Sequence, residues 1–108
     1  MKPVVFIGQS LQALRRLPAG ARQDVGYAIE LVQRGRSPRD FKPMPAVGPG
    51  AQELRVWDEH GTYRVIYVAS LPDAVYVLHA FQKKTAVTRH ADIRLARDRY
   101  RELKSETP

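Results

Sequence analysis

Basic and ring-bearing residues recur along three strand-like runs in the second half of this chain. They are Arg55, Trp57, Arg64, His79, Phe81, Lys83 and Lys84. Arginine and lysine bind phosphates, and flat rings stack on unpaired bases. Arginine stays protonated and can stabilise the negative charge that develops when a phosphate is attacked. The set therefore indicates a surface for single-stranded RNA.

Strand alternation predicts that these side chains share one sheet face. On the last strand the odd-numbered positions alternate together: Val75, Val77, His79, Phe81 and Lys83. A loop of two or four residues around Pro72-Asp73 adds Arg64 to that face. A four-residue loop over 59–62 pairs Trp57 with Arg64 and brings Arg55 there too.

Each residue also has an explanation that involves no ligand. Adjacent Lys83 and Lys84 could simply solvate and protect a strand end. Arg64 lies in an apolar strand, so it must pair with a carboxylate or open onto a ligand surface. His79 could be a hydrogen-bonded sheet histidine, and Trp57 could be partly core. Spacing alone favours the solvated strand end, whereas the register beside Arg64 favours a site.

The composition narrows the class of partner. The chain has 18 Lys and Arg against 11 Asp and Glu, a net charge of +7, which favours a polyanion or an acidic protein. It has no cysteine, and its three histidines lack close metal-ligand spacing, so we expect no metal and no cofactor. No run approaches the ~20 apolar residues that cross a bilayer, so we expect a cytoplasmic protein.

The first half predicts a strand and two helices, in one domain spanning residues 1–108. Residues 4–7 are β-branched or aromatic and predict a strand. Ser10 is the expected N-cap of the first helix. The second helix is expected over about 21–34, with Gly35 as its cap.

The second half predicts a β-meander and a last helix. The Pro- and Gly-rich segment 36–50 should have no regular structure. The three strands are expected at 53–58, 62–69 and 74–82. Asp92 should N-cap the last helix, and residues 105–108 should fray. The predicted class is α+β, with two N-terminal helices and a C-terminal helix packed on an antiparallel sheet.

Four segments together resemble a known family. "ELRVW", "GTYRVIYVA", "AVYVLHAFQKKT" and the helix "ADIRLARDRYREL" are similar to the phage-derived HigB-like branch of the RelE/ParE toxin superfamily. The resemblance covers nearly the whole chain. It implies a RelE-like, microbial RNase-like fold and the toxin of a type II toxin–antitoxin module. The implied partner is a helix-turn-helix, HigA-like antitoxin.

The resemblance also implies an activity. Toxins of this kind are ribosome-dependent mRNA endoribonucleases (mRNA interferases) that cut mRNA in the A site of the 70S ribosome, without a metal. By matched position, Arg64 is expected to hold the scissile phosphate, and Arg55 is the basic residue of the first meander strand. Lys83, with Lys84 beside it, follows the last strand, and Phe81 could stack on a base.

The general base and the target stay open at this stage. A lysine pKa starts near ~10.4, but clustered positive charge depresses it, whereas His79 starts nearer neutrality. Relatives use histidine, lysine or tyrosine, and we favour Lys83 or Lys84. The alternatives are a ParE-like DNA gyrase inhibitor, which would not need the basic groove, and a non-catalytic nucleic-acid- or protein-binding module.

Overall fold

A five-stranded sheet with three helices forms the fold. The structure is a computed structural model that describes residues 1–84 and 90–106. Along these residues the elements are β1 (Val4–Phe6), α1 (Ser10–Arg15), α2 (Ala19–Gln33), β2 (Phe41–Pro43), β3 (Ala51–Asp58), β4 (Gly61–Val68), β5 (Val75–Lys83) and α3 (His90–Glu106). The strand order is β1-β5-β4-β3-β2. The predicted α+β class is confirmed.

The sheet is mixed, whereas we predicted an antiparallel one. Strands β2 to β5 pair antiparallel, but β1 runs parallel to β5, with Val4 opposite Val75. Parallel neighbours need a long crossover, and β1 is separated from β5 by two helices and three strands. The N-terminal strand therefore forms one edge of the sheet.

Helices cover both faces of the sheet. Helix α2 buries the stripe Val25, Ile29 and Val32 in a core that also holds Leu54 and Val65. Helix α3 packs on the opposite face in a second core, whose members include Ile66, Leu78, Ala96, Tyr100 and Leu103. Gly35 ends α2 with φ +78°, as predicted, because glycine adopts that conformation without strain.

Strand β2 lies in the segment where we predicted no regular structure, so that prediction is wrong. Phe41 pairs with Leu54, and Pro43 with Gln52, at the outer edge of the sheet. A proline lacks the N–H that a central strand needs, but an edge strand tolerates it. The strand is short, which is why proline and glycine content hid it.

Two polar residues predicted as helix caps serve tertiary contacts instead. Ser10 is the first residue of α1, and its buried hydroxyl donates to the carbonyl oxygen of Val77 at 3.0 Å. Helix α3 begins at His90, so Asp92 lies in its first turn, where its carboxylate bonds His79. Both capping predictions are wrong, because each side chain has a partner distant in sequence.

The C-terminal helix is longer than we predicted. Helix α3 continues to Glu106, so the expected fraying is wrong for residues 105 and 106. Residues 107 and 108 lie outside the part of the chain that the structure describes. The helix packs through an apolar face, since Ala96, Tyr100 and Leu103 are all buried.

The hairpin between β3 and β4 has a tighter turn than we predicted. Asp58 pairs with Gly61, so the loop has two residues and Arg55 lies opposite Arg64. The predicted pairing of Trp57 with Arg64 is wrong by two positions. Arg55, Trp57 and Arg64 still share one face, because a shift of two positions preserves the alternation of side chains.

A β-bulge divides β5. Tyr67 pairs with Val77 and Ile66 with His79, which leaves Leu78 as an extra residue. The loop before the bulge spans residues 69–74, longer than the predicted two or four residues. The bulge absorbs the difference, so Arg64 lies opposite Phe81 as the predicted even register required.

The bulge also changes which residues share a face. Val75 and Val77 belong to the core under α2, whereas Phe81 packs against the core under α3. The predicted continuous face from Val75 to Lys83 is therefore wrong before the bulge. From His79 to Lys83 it is confirmed.

Three residues from other parts of the chain donate hydrogen bonds to the backbone at the bulge. The carbonyl oxygen of Val77 accepts the Ser10 hydroxyl and the Ile7 N–H, at 3.0 and 2.9 Å. The carbonyl oxygen of Leu78 accepts Arg99 Nη1 from α3 at 2.7 Å. Contacts from both faces of the sheet thus fix the strand just before His79.

Removing the Ser10 hydroxyl should weaken the fold measurably. Ser10→Ala is expected to lower the free energy of unfolding by about 1–2 kcal/mol, because a buried hydrogen bond is lost. Ser105→Ala, at an exposed helix end, should change it by no more than about 0.5 kcal/mol. Urea unfolding of both variants measures the difference, and equal effects would contradict the role assigned to Ser10.

Candidate functional site

Basic side chains from neighbouring strands lie side by side on the α3 face of the sheet. Arg55, Arg64 and Phe81 form one cross-strand row, on β3, β4 and β5. The next row toward the sheet end is Trp57, Thr62 and Lys83. We call Lys42, Glu53, Arg55, Arg64 and Lys83 the basic cluster. The predicted common face is therefore confirmed.

Arg64 pairs with a carboxylate. This was one of two alternatives expected for an arginine in an apolar strand, the other being a ligand surface. Its Nη1 donates to Glu53 Oε1, and the two side chains are 6% and 0% exposed. Two charges buried together need each other, because neither retains water. Glu53 is a site residue that we did not predict, although its place two residues before Arg55 puts it on the same face.

Arg55 is held more openly. Its Nη2 and Nε donate to Asp40 Oδ1 at 2.6 and 3.1 Å, and its side chain stays 28% exposed. Asp40 lies just before β2, so the edge strand positions this arginine. Arg55 therefore presents part of its guanidinium to solvent at the rim of the cluster.

Lys83 is a half-buried lysine at the end of β5. Partial burial lowers its pKa from the ordinary value, and the nearby positive charges of Arg64, Lys42 and Arg55 lower it further. Glu53 acts in the opposite direction. A lysine in this setting loses its proton more readily than a solvated one.

Lys84 differs from its neighbour. It is exposed and lies just beyond the end of β5. Thr85, the last residue of the "HAFQKKT" segment, lies outside the described residues. Of the two lysines, only Lys83 is within the basic cluster.

His79 is a hydrogen-bonded sheet histidine, which is the role we expected for it if it binds no ligand. Its Nε2 lies 2.8 Å from Asp92 Oδ1, and its ring stacks on Phe81 with centroids 4.9 Å apart. Burial lowers the pKa of His79, while the bond to Asp92 opposes that shift. The ring thus orients Phe81 and links β5 to α3.

Trp57 is more exposed than we predicted. Its side chain was expected to be partly core, but the residue is 57% exposed on the edge portion of β3. Beside it lies a cavity of about 350 Å³ between α2 and β3. Its lining includes Asp24, Tyr27, Leu31, Arg39, Arg55 and Trp57. Tyr27 was not predicted as a site residue, since a single tyrosine on a helix carries no signal of its own.

In residues 1–84 and 90–106, no group of three or more His, Cys, Asp or Glu side chains could hold a metal ion. None of the helices in these ranges is long and apolar enough to cross a bilayer.

The sheet, its helices and the basic cluster can be compared with known families. Residues 12–101 match the model of the family described as phage-derived protein Gp49-like (DUF891). The chain belongs to this family. Gp49-like proteins are RelE/HigB-like toxins, so the chain is a toxin-like module, and a toxin of this type has an antitoxin partner in general. A search of curated proteins found no match.

The buried ion pair should be strongly coupled. Glu53→Gln is expected to lower the free energy of unfolding by about 3–5 kcal/mol, because the Arg64 charge loses its buried partner. Combining it with Arg64→Met should cost less than the sum of the two single changes, by about 2 kcal/mol or more. Urea unfolding of the four proteins measures this coupling.

The exposed pair Arg101–Asp98 provides the control. Its atoms are 3.6 Å apart and both side chains are about 70% exposed, so its coupling should stay within about 0.5 kcal/mol. Equal coupling energies for the two pairs would contradict the structural role of Glu53.

Proposed function

We propose that this protein is the toxin of a type II toxin–antitoxin system and acts as a ribosome-dependent mRNA endoribonuclease. It would cut mRNA in the A site without a metal and so stop translation. The observation that carries the proposal is the basic cluster, in which Lys83 has a lowered pKa beside Arg55 and Arg64. Membership in a RelE/HigB-like toxin family supports it.

Lys83 is the proposed general base. Its neutral Nζ takes the proton of a ribose 2′-OH, and the freed oxygen attacks the adjacent phosphorus. The bond from phosphorus to the 5′-oxygen breaks, and that oxygen takes up a proton from water. The hydroxide left by that water takes the proton from Lys83 and restores the neutral base. The products are a 2′,3′-cyclic phosphate and a 5′-OH. A base must have a pKa near the working pH, which the environment of Lys83 favours.

The two arginines have different proposed roles. Arg55 is partly exposed and would contact the phosphate directly, with Asp40 holding its guanidinium in position. Arg64 is buried against Glu53, so it would act through its charge. That charge favours the anionic phosphorane and lowers the pKa of Lys83.

The rings would hold the substrate. Phe81 and Trp57 are proposed to stack on bases, and His79 to hold the Phe81 ring in place. His79 is buried and has a lowered pKa, which suits a neutral positioning residue. Exposed Lys84 would attract RNA rather than accept a proton.

The proposed partners follow from the same activity. They are mRNA on the 70S ribosome and a helix-turn-helix, HigA-like antitoxin, both in the cytoplasm. A DNA gyrase inhibitor is the closest alternative, and a non-catalytic binding module is the other. The basic cluster favours the endoribonuclease, because neither alternative needs a lysine with a lowered pKa.

Replacing Lys83 should slow cutting strongly without unfolding the protein. Lys83→Ala and Lys83→Arg are both expected to slow cleavage by about 10²–10⁴-fold, since arginine keeps the charge but cannot act as a base. Lys84→Ala removes the same charge one residue away and should slow it less than about tenfold. Primer extension on mRNA in a purified translation system measures each rate.

The pH dependence provides a second test of Lys83. A base is active when deprotonated, so the wild-type rate should rise with pH and level off above the lowered pKa of Lys83. Lys83→Arg should lack that rise. Equal rates for wild type and Lys83→Arg would contradict the assignment. Intact mRNA with arrested DNA supercoiling would instead identify a gyrase inhibitor, and RNA binding without cuts a binding module.

A further inference from the structure

The cavity between α2 and β3 lies beside the basic cluster and shares Arg55 with it. Strand β2 pairs only with Gln52, Glu53 and Leu54 of β3. Residues 56–58 of β3 therefore have β4 on one side and no β2 partner on the other. The cavity of about 350 Å³ adjoins this part of the strand, where Val56 and Trp57 line it.

Two exposed rings face this cavity from different elements. Tyr27 on α2 is 60% exposed and Trp57 on β3 is 57% exposed, so both rings are accessible to a ligand. Asp24, Tyr27 and Leu31 fall on one face of α2 by their i, i+3, i+7 spacing. That face adjoins the stripe that α2 buries in the core. The packing of α2 on the sheet therefore fixes the position of Tyr27 relative to β3.

The cavity also carries charge suited to a nucleotide. Arg39 and Arg55 both line it, and Arg55 belongs to the basic cluster as well. The sugar–phosphate backbone of an RNA strand could therefore run from the cluster to the cavity and stay next to positively charged side chains. The Asp24 carboxylate can accept hydrogen bonds from the amino groups of a base.

We propose that this cavity binds the base of an unpaired nucleotide in single-stranded RNA, next to the nucleotide at the basic cluster. The proposal rests on the proposed function for its substrate class. Tyr27 and Trp57 supply the stacking surfaces, and Arg39 and Arg55 hold the flanking phosphates. Stacking tolerates any base, since every base has a flat face, and Asp24 then favours those with amino groups.

The size of the feature favours a nucleotide over a protein segment. Small-ligand sites have volumes of roughly 300–1,000 Å³, and this cavity is at the lower end of that range. A stable protein interface buries roughly 800 Å² on each partner. The four charged residues of the lining, Asp24, Arg39, Asp40 and Arg55, interrupt the apolar surface that such an interface would use.

Trp57 reports on the cavity directly because it is the chain's single tryptophan. The probe is an eight-nucleotide 2′-O-methyl RNA with a 5′ label, which cannot undergo 2′-OH attack. At low salt it should quench Trp57 fluorescence, and an abasic version should quench it far less. Fluorescence anisotropy should show about tenfold weaker binding to Tyr27→Ala.

Two variants serve as controls. Tyr27→Phe keeps the ring and should bind like wild type. Leu95→Ala trims an exposed apolar residue on α3 and should also leave binding unchanged. Circular dichroism verifies that each variant is folded. We expect all of them to fold, because the substituted residues are exposed.

Three results would overturn the proposal. They are wild-type binding by Tyr27→Ala, equal quenching by the abasic RNA, and a loss of antitoxin binding alone in Tyr27→Ala. The last would identify a protein surface. Cleavage on ribosomes, measured in parallel, separates this proposal from the proposed function. Quenching without cleavage would support the cavity alone, and cleavage without quenching the endoribonuclease alone.

Discussion

The buried ion pair of Glu53 and Arg64 is the interaction on which the site depends. Neither charge can be left without the other, so the pair holds β3 and β4 in one register at the centre of the sheet. That register brings Arg55 beside Arg64 and aligns both with β5. Removing Glu53 would therefore change the electrostatics of the whole cluster, including the environment of Lys83.

The β-bulge at Leu78 is the second constraint, and it acts on position rather than charge. If the same sequence ran as a regular strand with no bulge, His79, Phe81 and Lys83 would continue the alternation of Val75 and Val77 and face α2. With it, they face the basic cluster. Arg99 and Ser10 donate hydrogen bonds to the backbone at this point from opposite sides of the sheet. Contacts from α1 and α3 therefore both fix the direction in which the end of β5 presents its side chains.

Local patterns predicted the elements well, because strand alternation and helix spacing are properties of consecutive residues. The three meander strands, the Gly35 cap and the common face of Arg55, Arg64 and Lys83 were predicted from such patterns. The misses share another cause. Ser10, Asp92 and Glu53 each bond a residue more than ten positions away, and the bulge depends on contacts from two helices. Tyr27 and Trp57 line one cavity only once α2 packs on the sheet, so no local pattern indicates that cavity.

The chemistry of the cut ends tests the central claim most directly. A single 2′-O-methyl group is placed on the nucleotide before the cut, in mRNA bound to programmed ribosomes. We expect the unmodified mRNA to yield a 2′,3′-cyclic phosphate and a 5′-OH, and the modified mRNA to stay intact at that position. Cleavage of the modified mRNA, or a 5′-phosphate on the product, would contradict 2′-OH attack and with it the role of Lys83.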